Sequence, residues 1–273
     1  MKTAKAVPVL MYHHVSPSPG LVTISPENFR AQMRYLANNG WHTIGLDDLA
    51  RFIGGAPLPK KSVVVTFDDG YLDNWVHTHP IMAEHGLHGV IFLITGWIGN
   101  GPARAHAGMA DAPATPAHKA CMEAVQAGRA DDVMLRWNEV LAMREAGTFE
   151  FHSHTHTHTR WDLSMANSVA RDMALGRDLE VSQQTLHARL GAPSRHLCWP
   201  QGFFDAGYQR IAFAAGFAHL YTTMPGIVRP RSDRACLPRL VIKDRGADWF
   251  ARRMYIYSHP WLSALYLAVK GIG

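Results

Sequence analysis

The feature that most constrains this chain is a recurrence. Short β-branched or aromatic runs, each bounded by turn residues, alternate with longer amphipathic stretches. The runs are Val7 to Tyr12, Ser62 to Phe67, Gly89 to Ile94, Thr148 to Phe151, His196 to Trp199, Ala218 to Thr223 and Leu237 to Ile242. Apolar runs of this length, with little polar alternation, read as strands covered on both faces. Between most of them lie helical patterns: Pro26 to Asn39, with Ser25 as N-cap and Gly40 as stop, then Asn74 to Glu84, Trp137 to Glu145, about Met165 to Leu190, and Asp205 to Ala215. Strands that alternate with helices pair in parallel, and seven such units suit a closed ring better than two lobes. The expected fold is α/β, a single distorted (β/α) barrel of about seven parallel strands with its chemistry at the strand C-terminal face. A length of 273 residues at 47% hydrophobic is enough for one such core.

The barrel is expected over residues 1–245. The stretch from about 99 to 120, rich in alanine, glycine and proline, is expected as an inserted loop over one mouth, and 246–273 as a helical tail. A net charge of +5 is spread along the chain, aromatics are not interleaved with basic residues, and no zinc-finger or helix-turn-helix spacing occurs, so nucleic acid is not an expected partner. The three cysteines, Cys121, Cys198 and Cys236, are odd in number and widely spaced, which suggests no disulfide framework and fits a reducing compartment. The N-terminus lacks a signal-peptide pattern and no apolar run reaches the length of a membrane span. These features together give a cytoplasmic expectation. In the tail, Trp249, Phe250, Arg252, Arg253, Tyr255, Tyr257 and Trp261 mix aromatics with arginine. That mixture fits a last barrel helix, and it also fits peripheral contact with the inner face of a membrane.

Each polar motif follows a predicted strand. Val63 to Phe67 ends on Asp68, Asp69 and Gly70. Neighbouring side chains on a strand point to opposite faces, so two aspartates share one task only if the chain turns between them, and Gly70 permits a turn. One carboxylate can then face a cation and the other act as a general base, although a plain strand-end turn is common for this triplet. The second motif, Glu150 to His158, carries histidines at 152, 154, 156 and 158. Two imidazoles with one carboxylate are a familiar divalent-metal set that leaves positions for water and substrate. Both His152 with His156 and His154 with His158 are spaced four apart, and spacing does not choose between them. A metal-buffering tract or a solvated loop would carry the same composition.

Taken in order, Thr66-Phe67-Asp68-Asp69-Gly70, then Glu150 to His158, then Trp199-Pro200-Gln201-Gly202 resemble the motif series of the polysaccharide deacetylase family, the NodB-homology carbohydrate esterases of family 4. The opening Leu10-Met11-Tyr12-His13-His14-Val15 resembles the subgroup that includes the poly-N-acetylglucosamine deacetylases. The resemblance runs from about Val7 to Ile242. It implies Asp68 as general base, Asp69, His154 and His158 as metal ligands, and His13 as general acid, with His14 as the local competitor. It also implies that the main-chain N–H of Gln201 contributes to an oxyanion hole and that Trp199 belongs to the same loop.

Two departures stand out. Gln201 replaces the usual aromatic residue, and Cys198 stands where the wider family places an arginine that orients the base. Arg239 is the candidate replacement, although a surface ion pair is an equally plain role for it. The implied activity is a metal-dependent carbohydrate N-deacetylase, a hydrolase of a linear amide. It would use one divalent ion, zinc first, with cobalt, nickel or ferrous iron also acceptable to this ligand set. The implied substrate is an N-acetylated carbohydrate or a lipid-linked sugar. A catalytically inactive sugar- or metal-binding relative and a thiol hydrolase built on Cys198 are the competing readings.

Overall fold

The computed structural model describes residues 3–269. The ends of the two expected regions, Met1–Lys2 and Lys270–Gly273, lie outside the described residues. Seven parallel strands close into a ring, Val9–Tyr12, Ser62–Asp69, Gly89–Leu93, Phe149–Ser153, His196–Cys198, His219–Pro225 and Leu237–Val241. Val9–Tyr12 completes the closure by pairing with both Ser62–Asp69 and Leu237–Val241. The two-residue strand His42–Thr43 adds to the outer edge of Ser62–Asp69. This is the distorted barrel that the alternation predicts, and two places account for its distortion. Phe149–Ser153 meets His196–Cys198 through a single registered pair, Ser153 with Leu197. The last strand shifts register between Leu237 and Arg239, where Pro238 has no N–H to continue the ladder.

All eight residues of Ser62–Asp69 are buried because both faces are covered. Val63, Val65 and Phe67 pack outward against Phe29, Met33 and Leu36 of the Pro26–Asn38 helix. Val64 packs inward with Val9, Val90, Phe92 and Tyr221. Alternation therefore carries Thr66 and Asp68 into the ring interior, with Asp68 at its upper end.

Pro26–Asn38, Trp137–Glu145 and Ala206–Ala214 form close to the expected spans, and Ser168–Leu190 starts three residues late and ends on Gly191 in the left-handed region. The stretch expected as one helix from Asn74 to Glu84 is instead a π-turn, Asn74–Thr78, followed by an α-helix, His79–Glu84. Pro80 is the cause: it cannot donate to Val76, whose carbonyl accepts from Ala107 N instead, at 2.8 Å. That bond helps fix the 99–120 stretch, which is further held by the Arg104 guanidinium on Glu139, at 2.7 and 2.8 Å. Its last residues are not loop, since an unanticipated helix runs His118–Gln126. A second unanticipated helix, Leu46–Ile53, begins at Gly45, and its first amide is capped from a distance by Glu150 Oε1 at 2.6 Å. At the C-terminus, Ala247–Tyr257 buries Phe250 and Met254 against the Pro26–Asn38 helix, and Pro260–Val269 follows it. Among the described residues, no helix is long and apolar enough to cross a membrane.

Candidate active site

Of the expected site residues, His13, Asp68, Asp69, His154, His158, Trp199 and Gln201 line one cavity of about 490 Å³ at the upper mouth of the ring. Strict alternation would send Asp69 outward. It does not, because Asp69 takes φ 74° and Gly70 φ 85°, so the turn begins one residue earlier than the glycine alone implies. Left-handed backbone at a non-glycine residue costs about 1 kcal/mol, and the surrounding contacts hold it there. A Cβ at Gly70 would meet Leu93 Cδ2 at 2.7 Å and Ile98 Cδ1 at 3.2 Å, so these buried side chains would have to shift to admit it. The result is two adjacent carboxylates with different neighbours.

Asp68 is gripped from below by Arg239, which donates from Nη1 to Oδ1 at 2.7 Å and from Nη2 to Oδ2 at 2.8 Å. Arg239 is fully buried, and its remaining N–H groups reach Thr222 O, Thr66 Oγ1 and Cys198 Sγ at 3.0, 3.2 and 3.0 Å. A surface ion pair is therefore not its role. Nor does it line the cavity, so it meets the carboxylate and not a substrate. Burial alone would raise the Asp68 pKa, but the charge and hydrogen bonds of Arg239 outweigh it and hold the carboxyl below the usual range. Cys198 is buried behind Asp68 with its thiol pushed up by burial, an environment opposite to that of a nucleophilic cysteine.

The histidine run divides in two. His154 Nε2 lies 3.3 Å and His158 Nε2 3.6 Å from Asp69 Oδ1. Positive φ at Thr155 and His158, 66° and 60°, bends the segment so that both rings return to one point, 5.0 Å apart. His152 faces away, bonded to Ser194 Oγ at 2.8 Å and Glu150 Oε1 at 3.2 Å, and His156 sits on Thr95 Oγ1 at 3.0 Å. Spacing could not separate these pairs; backbone handedness does.

Asp69 Oδ1 is buried without a hydrogen-bond partner. His154 commits Nδ1 to the Cys198 carbonyl at 2.8 Å, which directs Nε2 toward that oxygen. An orphan carboxylate oxygen between two imidazole nitrogens is what a divalent cation satisfies, so the donor set fits one. A second triplet, Asp68 with His154 and Cys198, also has its potential ligand atoms within 4.8 Å of one another. It fits poorly, because the Arg239 guanidinium already occupies the Asp68 and Cys198 acceptors.

His13 Nε2 lies 3.6 Å from Asp68 Oδ2 at the cavity wall, and burial lowers its pKa against the pull of the Asp68 and Asp69 charges. His14 is directed elsewhere. Its Nδ1 meets Asp73 Oδ2 at 2.5 Å, its ring stacks 3.8 Å from Tyr71, and its Nε2 meets His118 Nδ1 at 3.1 Å. Tyr71 and His118 line the cavity too, and neither was expected there. The position of Tyr71 just after Gly70 was a signal in the sequence, whereas nothing near His118 pointed to the site.

Opposite His13, Trp199 and Gln201 line the rim. Gln201 adopts φ 54°, and the turn bonds run from Gly202 N to Trp199 O and from Phe203 N to Pro200 O, leaving the Gln201 amide outside both. Its side chain is exposed and accepts from Arg160 Nη1 at 3.1 Å.

Residues 55–220 match the family model described as polysaccharide deacetylase. The polysaccharide deacetylase homologue YxkH of Bacillus subtilis (strain 168) is 35% identical over 100 residues, 36% of this chain and about a third, 35%, of that protein. The poly-β-1,6-N-acetyl-D-glucosamine N-deacetylase of Staphylococcus aureus is 21% identical over 233 residues, 85% of this chain and 71% of the other. The solved structure of IcaB from Ammonifex degensii superposes with a TM-score of 0.70 at 22% identity, covering 94% of this chain and 99% of its own. At that identity the likeness establishes the shared barrel fold.

Proposed function

The chain belongs to the polysaccharide deacetylase family, and from that premise we propose that it is a metal-dependent N-deacetylase, releasing acetate from an N-acetylated amino sugar of a glycan. The observation that carries this reading is the pairing of two differently held carboxylates in one cavity. Asp68 is kept ionised and oriented by Arg239, and Asp69 shares a cation-sized gap with His154 and His158. A divalent cation held by Asp69, His154 and His158 supplies Lewis acidity for the acetamide oxygen and for water.

The chain's own residues do the rest. Asp68 accepts the proton of the attacking water, and its low pKa leaves it free to do so at neutral pH. The Gln201 N–H, on the opposite rim, stabilises the negative charge that develops on the former carbonyl oxygen. Protonated His13 delivers its proton to the departing amine. At 3.6 Å from Asp68 Oδ2, it is placed to recover the proton that Asp68 took, so the cycle closes with acetate and a free amino sugar. The departures at Cys198 and Gln201 need not mean inactivity. Arg239 reaches the base from another strand, and the oxyanion donor is main chain.

The test is acetate release from N-acetylglucosamine oligomers, β-1,6-linked first because of the relative named above. Measurements would use protein carrying one divalent ion per chain. Release that is lost in Asp68→Asn with metal content unchanged supports the reading. No release from any N-acetylated oligomer at full metal content overturns it.

A further inference from the structure

A second cavity, about 450 Å³, lies between the end of the Leu237–Val241 strand and the two C-terminal helices. It adjoins the first, because Thr223 and Val241 line both. Its walls carry Lys243, Arg245 and Arg253 together with Trp249, Tyr257 and Tyr266. Among the described residues, none of these three cations forms an ion pair with a carboxylate. The nearest acid in sequence, Asp244, feels the charge of Arg245 but spends its hydrogen bonds elsewhere, with Oδ1 accepting from Ser25 Oγ at 3.0 Å and Asn28 Nδ2 at 2.6 Å.

Arg253 is held between two rings, its guanidinium carbon 5.1 Å from the Trp249 centroid and 4.5 Å from that of Tyr266. Stacking of this kind fixes the plane of the fork while leaving its N–H groups unspent. Three cations that line one cavity without an ion-pair partner give it a positive potential that an anion would offset. A preset guanidinium suits a planar or multi-oxygen anion taken in two hydrogen bonds. The rings beside it offer apolar faces for the carbon skeleton of a sugar.

We propose that this cavity is an accessory subsite for an anionic group, phosphate or carboxylate, carried on the same glycan whose acetamide is cleaved next door. This rests on the deacetylase reading for its substrate, but the binding itself does not require turnover. The C-terminal helices thus select the substrate by charge, beyond the acetyl group that the barrel mouth handles.

The experiment compares an N-acetylglucosamine tetramer with the same tetramer carrying a phosphate or a terminal uronate. Acetate release gives KM and kcat, and calorimetry in excess chelator gives affinity without turnover. The expected result is a preference for the charged tetramers of about tenfold in KM and in affinity, with kcat similar, the worth of one further charge-assisted pair. In Arg253→Gln with Lys243→Gln the ratio between charged and neutral tetramers falls to about one, and in Arg252→Gln, outside the cavity, it is kept. If the double variant does not fold, Arg253→Lys, which keeps charge but loses the fork, is expected to cut the ratio severalfold.

Acetate release with no preference for charged tetramers overturns the subsite and leaves the deacetylase reading standing. A calorimetric preference without acetate release from either tetramer does the reverse. Inorganic phosphate binding as tightly as the phosphorylated tetramer would show an anion site with no glycan component, and so overturn the proposal. Binding to phosphatidylglycerol vesicles that the double variant abolishes, with no tetramer preference, would assign the patch to a membrane surface and overturn it likewise.

Discussion

Arg239 and Asp68, 171 residues apart in the chain, meet as a forked pair inside the barrel, with guanidinium nitrogens 2.7 and 2.8 Å from the two carboxylate oxygens. The fork fixes the plane of the carboxylate and offsets the burial of its charge. Removing one partner of a buried pair of this kind typically costs about 3–5 kcal/mol, because the other charge stays behind unpaired.

Arg239→Met should therefore lower stability by an amount in that range and cut acetate release at least about a hundredfold. The pH dependence has a definite sign. With Arg239 present, the folded Asp68 pKa is depressed, so its contribution is present above the unfolded carboxylate pKa and fades as pH falls through the folded value. Without Arg239, burial raises that pKa, and ionisation now opposes folding. The deficit of the variant, followed by urea denaturation, should be largest near neutral pH and shrink toward pH 4.

Metal content should separate the histidines. His154→Ala, His158→Ala and Asp69→Asn should each lose bound divalent ion, measured by elemental analysis after dialysis, while His152→Ala and His156→Ala retain it. His152→Ala should instead cost about 1 kcal/mol of stability, since Glu150 and Ser194 each lose a half-buried hydrogen-bond partner. Metal retained in His154→Ala and lost in His152→Ala would reverse the assignment.

Metal binding should tighten as pH rises and should release a proton. Burial alone would lower the His154 pKa, but Cys198 and the Asp69 carboxylate beside it outweigh that and raise it, so a cation competes with a proton on this ring. His158, pushed down to about 4 by burial, is neutral across the same range and adds no proton release above pH 5. Calorimetry in buffers of different ionisation enthalpy should report about one proton at neutral pH. Zero protons would count against His154 as a ligand.

Cys198→Ala should keep acetate release within about fivefold of the parent and remain fully sensitive to chelators. The cost should be structural, about 1–2 kcal/mol in thermal unfolding, because an Arg239 N–H loses its acceptor. Loss of turnover with normal stability and metal content would revive the thiol reading.

Gly70→Ala should be destabilising by about 2–3 kcal/mol or more, since its φ is 85° and the new Cβ would meet Leu93 Cδ2 at 2.7 Å. The displaced Asp69 should lose metal at the same time, so thermal unfolding and metal content should change together.

By itself, the sequence determined what depends on local periodicity and order. Seven buried strands separated by helical patterns leave the closed parallel ring as the economical arrangement, and the motifs at Asp68–Asp69 and at Glu150 to His158 fall where strand ends meet at one mouth. What tertiary structure alone decided depends on contacts remote in sequence or on backbone handedness. Arg239 acquires its meaning only because its strand returns beside Asp68, and a lone arginine in Leu237 to Val241 carries no mark of that. Handedness at Asp69, Thr155 and His158 chose among four histidines of equal spacing, because a left-handed non-glycine residue is held by surroundings and not by its own preference. Pro80 showed locally that a helix must break, but not that Ala107 would fill the gap. The same holds for Lys243, Arg245 and Arg253, which read as scattered charge along the chain and become a single patch only when the last helices fold back over the barrel's final strand.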